Sequence, residues 1–155
     1  MAEVEVTVHA PIEQAFAVLS DGWIYAAWVV GASHIREVDA DWPAVGSRIH
    51  HSVGPWPLTV ADATEVIAVD PPHLLELDAR LWLFGAAWIR LRLDEPSPGS
   101  TRIRMAERAV RGAGALIPGF AQDLALKPRN REALHRLASL ILGRTGSGRQ
   151  SLSSD

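Results

Sequence analysis

"REALHRLASLIL", residues 131–142, decides the fold. Leu134, Leu137, Ala138 and Ile141 recur at spacings of three and four, which aligns them along one side of an α-helix. Helical character extends back to Gly112 through "GAGALIPGFAQDLALKPRN". An apolar stripe has to be buried against another element, and this one comes last in the chain. Pro128 is expected to kink the helix, because it has no backbone N–H to donate. Gly143 is expected to close it. Residues 144–155, "RTGSGRQSLSSD", are rich in Ser and Gly, lack an apolar stripe and read as a disordered tail.

The elements before the helix are strands. In "AAWIRLRLDE" (86–95), Ala87, Ile89, Leu91 and Leu93 share one phase, against Trp88, Arg90 and Arg92. That is the period-2 pattern of a half-buried strand, with Trp88 placed where arginines stack on it. "PSPGS" turns the chain into "TRIRMAERA" (101–109), where Thr101, Ile103, Met105 and Glu107 oppose Arg102, Arg104 and Arg108. In "HLLELDARL" (73–81), Leu75, Leu77, Ala79 and Leu81 face one way. "SHIREVDAD", "SRIHHSV" and "LTVADATEVIAVD" complete the series, with Gly and Pro clusters at each joint. In the last of these Asp62 goes with Val60 and Glu65 with Ile67, and a bulge would mix the two phases.

At the N-terminus "VEVTVHA" alternates like a strand. "PIEQAFAVLSD" then begins a helix at Pro11, with Ile12, Ala15, Phe16 and Leu19 at helical spacing. "DGWIYAAW" follows as a short helix, with Asp21 as candidate N-cap. The order is β-α-α-β-β-β-β-β-β-α. This is an α+β fold in which short turns make the sheet antiparallel and the final helix covers one face. Residues 1–143 read as one domain.

Composition removes several classes of function. The chain has 155 residues, 48% of them hydrophobic, enough for a core without staples. There is no Cys, so disulfides, thiolate metal sites and Cys nucleophiles are excluded. A formal charge of −3 gives no argument for nucleic acid. No apolar run reaches the roughly 20 residues of a membrane span, and the N-terminus lacks a signal-peptide pattern. The expectation is a cytoplasmic protein, monomer or homodimer. Six Trp stand against one Tyr and three Phe, suiting a large core or a pocket wall.

"HHSVGPWPL", residues 50–58, raises the question of chemistry. Adjacent strand residues point to opposite faces, so His50 and His51 do not share one metal or substrate. No His-x-His or His-Glu-x-x-His pattern occurs, and no metal or cofactor is expected. His51 shares the phase of Ile49 and Val53 and faces in; His50 faces solvent. Two readings are open for His51: a core histidine bonded to a neighbour, or a pocket donor or general base. Glu107 continues an apolar phase, as a pocket residue or a water-reached rim residue. Asp62 is a third candidate acid. Trp56, between two prolines, reads as a lid or plug, and Trp28 plays the same part across the cavity mouth. Phe120 and Leu124 would form the opposite wall. The basic "KPRNR" (127–131) reads as a solvated helix face. There is no Gly-x-Ser-x-Gly, and "GAGAL" lacks the setting of a phosphate loop.

"HAPIEQAFAVLSD", "DPPHLLEL", "PGSTRIRM" and the C-terminal helix together resemble the START-like, or SRPBCC, superfamily, in its polyketide cyclase/dehydrase-type members. The resemblance covers residues 2 to about 142. "HHSVGPWPL", "DATEV" and "RNREAL" are similar to a bacterial subgroup of actinobacterial type. The resemblance implies a helix-grip fold, a curved sheet wrapped around the long helix with a cavity between. The superfamily includes lipid carriers, aromatase/cyclases and hormone receptors, so fold does not settle function. The first expectation is binding of a small hydrophobic or aromatic molecule, lipid- or polyketide-like. Its wall would include Leu77, Ala79 and Met105 with Trp28, Trp56, Phe120 and Leu124, and its polar points His51 and Glu107. The cavity would measure several hundred Å3, the usual scale of such pockets. The second is a cyclase or dehydratase moving protons through His51, Glu107 or Asp62. The third is an interaction protein whose cavity is filled by its own side chains.

Overall fold

A computed structural model describes residues 2–30, 32–53, 60–80 and 85–152. Strand β1 (Ala2–Val8) leads into helix α1 (Ile12–Leu19), a 3₁₀ turn at Gly22–Ile24 and helix α2 (Tyr25–Trp28). Six strands follow: β2 (Ala32–Val38), β3 (Arg48–Val53), β4 (Val60–Asp70), β5 (Leu74–Arg80), β6 (Ala86–Ser97) and β7 (Ser100–Arg111). A 3₁₀ turn at Ala113–Leu116 leads into the last helix, α3 (Gly119–Leu152). The seven strands form one antiparallel sheet in the order β1-β7-β6-β5-β4-β3-β2. Together with α3 this is the α+β helix-grip architecture.

The period-2 phases translate directly into burial. Ile49, Leu75, Leu77, Ile89, Leu91 and Ile103 are buried on the inner face. On the outer face Trp88 lies between Arg90 and Arg108, each guanidinium 5.2 Å from the ring centroid. Its indole N–H donates to Glu76 at 3.2 Å. In β4 the pairing shifts register between Val66 and Ala68, so Asp62, Thr64 and Val66 face in and Val69 is brought back to the same side. Glu65 faces out and pairs with Arg48 at 3.3 Å.

The helices are anchored by polar contacts from distant segments. Glu95, on the β6–β7 hairpin, accepts from the Ile12 N–H at 2.9 Å and so caps α1. Asp21 accepts from the Trp23 N–H at 3.2 Å, capping the 3₁₀ turn as the sequence suggests. Helix α3 packs along β1 and against β7, α1 and α2. It buries Asn130, Ala133, Leu134, Leu137 and Ile141, one stripe at three- and four-residue spacing.

The end of this helix differs from expectation. It runs unbroken through Pro128 and, instead of closing at Gly143, continues to Leu152. Arg144 supports the extension, pairing with Asp21 at 2.5 Å.

Candidate functional site

The inner face of the sheet is built in rows that shrink towards one end. Val69, Leu75, Leu91 and Met105 lie side by side across four strands. The next row is Val66, Leu77, Ile89 and Glu107. The third is Ile49, Thr64, Ala79, Ala87 and Ala109, mostly small side chains. Beyond it, His51 stands directly across from Asp62. Large residues thus fill one end of the sheet, and small or polar ones face inward towards the end where β3, β5 and β7 finish.

Three polar groups meet over the small-residue row. His51 Nε2 is 2.8 Å from Thr64 Oγ1. Tyr25 Oη is 3.4 Å from the same oxygen. The Tyr25 and His51 rings stack with centroids 5.9 Å apart, and Trp28 meets Tyr25 edge-on at 5.4 Å. All four side chains are buried. Burial pushes the Tyr25 hydroxyl up to about 12. Burial also lowers the His51 pKa below its ordinary value, opposed in part by the Asp62 charge. Both groups are therefore neutral at pH 7.

A second constellation joins α3 to the sheet. Glu107 is 1% exposed, and both its carboxylate oxygens face Arg129 Nη1, at 2.9 and 3.0 Å. Arg129 Nε donates to the Val30 carbonyl at 3.0 Å. The next residue, Asn130, is 1% exposed, and among the described residues neither its amide nitrogen nor its oxygen has a hydrogen-bond partner. His51 Nδ1 is likewise buried and unpartnered.

The candidates read from sequence fall into three groups. His51, Leu77, Ala79, Met105, Glu107 and Trp28 are all buried, and Asp62 shares the inner face, half-buried. Trp28 does not stand at a mouth, because it is sealed against Tyr25 inside the molecule. Phe120 and Leu124 form no interior wall: they are 73% and 75% exposed. Stepping back from Leu134 and Asn130 by helical turns reaches Leu126 and Asp123, and that periodicity turns Phe120 and Leu124 away from the sheet. Trp56 lies outside the described residues. His50 faces outward as expected and pairs with Asp39 at 3.2 Å.

Tyr25, Thr64, Arg129 and Asn130 are absent from the sequence reading. The "KPRNR" segment is not simply a solvated face, since Arg129 turns inward and Asn130 is buried. The signal for Asn130 was its position four residues before Leu134, on the apolar stripe. Among the described residues, no three His, Asp or Glu side chains converge as metal ligands. No helix among them is long and apolar enough to cross a membrane.

A family model described as polyketide cyclase/dehydrase and lipid transport matches residues 1–141. A search of curated proteins finds no significant match. Among solved structures, a conserved protein from Geobacillus kaustophilus superimposes with a TM-score of 0.69 at 13% identity, covering 91% of this chain and 94% of that one. A protein from Mesorhizobium loti gives 0.63 at 21% identity, covering 92% and 98%. Ara h 8.0201 gives 0.67 at 14% identity, covering 91% and 96%. At these identities the likeness is one of fold.

Proposed function

The chain belongs to the polyketide cyclase/dehydrase and lipid transport family, within the START-like superfamily, and on that premise we propose that it binds a small hydrophobic or aromatic molecule between the inner face of the sheet and α3. One observation carries the reading. Asn130 and His51 Nδ1 are buried polar groups with no partner among the described residues. Each such group costs about 1–3 kcal/mol if it stays unpaired, so a core that only had to be packed would carry apolar side chains there. A bound molecule with polar atoms offsets that cost. The shrinking rows support the same reading, since Thr64, Ala79 and Ala87 carry smaller side chains than Leu77 and Ile89 in the row before. An apolar wall with a few convergent polar groups is the usual make-up of a small-molecule site. Native mass spectrometry of the protein purified from its own host tests the proposal: a co-purifying small molecule released on unfolding supports it, and a bare chain mass at full folding counts against it.

Proton transfer by a cyclase or dehydratase is a second reading, favoured by the neutral His51 with its free Nδ1. In that reading Glu107 is a positioning residue, because Arg129 engages both its oxygens. His51→Gln would then abolish turnover while binding persists.

A further inference from the structure

We propose that the ligand is uncharged and carries a hydroxyl group, a phenol or alcohol on an apolar skeleton, that pairs with the Asn130 carboxamide. The inference rests on the binding reading above and narrows it to a chemical class.

A carboxamide presents two donors and an acceptor, and at Asn130 both ends are buried and unpartnered among the described residues. A group that satisfies both ends must donate and accept. A hydroxyl does so; a carboxylate or ketone only accepts, and leaves the Asn130 oxygen unpaired. Hydrogen-bond direction along the Tyr25–Thr64–His51 chain leads to the same class. If Tyr25 donates to Thr64 and Thr64 donates to His51 Nε2, then Nδ1 carries the proton and needs an acceptor. If the chain runs the other way, Nδ1 needs a donor. A hydroxyl satisfies either arrangement.

Charge points in the same direction. Arg129, the neighbour of Asn130 in sequence and partly exposed, faces Glu107 and is balanced by it. Asp62 stands across from His51 on the inner face and disfavours an anion. His51 and Tyr25 are neutral at pH 7, so they offer no compensating charge.

Equilibrium dialysis of the full chain at pH 7 against naphthalene, 2-naphthol and 2-naphthoate tests the class on one skeleton. The expected result is 2-naphthol bound about tenfold more tightly than either of the others, a difference of about 1.4 kcal/mol. Asn130→Leu should bring 2-naphthol down to the affinity of naphthalene and leave naphthalene unchanged. His51→Phe, a second variant in case the first does not fold, should also narrow the gap. Equal binding of naphthalene and 2-naphthol, or tightest binding of 2-naphthoate, overturns the proposal while leaving the binding reading intact. Binding of none of the three overturns both.

Discussion

Arg129 on α3 holds Glu107 on β7 by facing both carboxylate oxygens, at 2.9 and 3.0 Å, with its Nε on the carbonyl of Val30. The contact ties the final helix to the sheet and to the segment after α2. Glu107 is buried and Arg129 partly exposed, so the two partners are not equivalent. Removing the cation strands a charge in the interior; removing both costs far less.

Arg129→Ala should therefore lower stability by about 3 kcal/mol in urea denaturation, whereas Arg129→Leu with Glu107→Leu should recover most of the loss. Additive losses in the double variant would show that the pair is not the coupling between helix and sheet.

The two adjacent histidines should behave differently with pH. In the unfolded chain His51 titrates near 6.5, and in the folded protein lower, chiefly because burial penalises the imidazolium. Between those values the unfolded state binds more protons, so stability falls as pH drops below about 6.5 and the loss saturates beyond the folded pKa. His51→Gln should flatten that part of the stability–pH curve. His50→Ala, which loses only a half-exposed contact with Asp39, should change stability by less than about 1 kcal/mol. An NMR titration placing His51 at or above 6.5 would contradict this account.

Much of this site was legible in alternation, and the rest was not, for identifiable reasons. Period-2 phase separated His51 from His50 and placed Glu107 inside and Trp88 outside between arginines. In β4 alternation alone could not choose, because the register shift after Val66 breaks the phase. At the start of α3 the apolar character of Phe120 and Leu124 suggests a wall, whereas the helical period set by Leu134 and Leu137 turns them outward. Arg129 was hidden in a basic run, where charge suggests solvent; its inward turn depends on Glu107, which is 22 residues away.

Gly85 opens β6 with φ at +98°, and a Cβ there would stand 1.8 Å from the Arg111 carbonyl oxygen. Gly85→Ala combines a left-handed backbone with a backbone clash. It should cost about 3 kcal/mol, lowering the melting temperature by about 10 °C. A drop within the error of the measurement would mean that β6 and β7 approach less closely at that end.

We infer that the binding domain ends near Gly143 although the helix runs on. A chain truncated after Gly143 loses the exposed Arg144–Asp21 pair, a contact of less than about 1 kcal/mol. Its melting temperature should stay within about 4 °C of the full chain. A larger fall would make the last turns of α3 part of the fold.

Uptake of a fluorescent apolar probe by the wild type and by Ala79→Trp tests the central claim most directly. Ala79 lies between Thr64 and Ala87 in the small-residue row, so an indole there occupies the space assigned to the ligand. The wild type should bind the probe with micromolar affinity, about −8 kcal/mol. Ala79→Trp should fold with an unchanged far-ultraviolet spectrum and bind none. A folded wild type that takes up no probe, or an Ala79→Trp variant that unfolds because the space is already filled, would contradict the account.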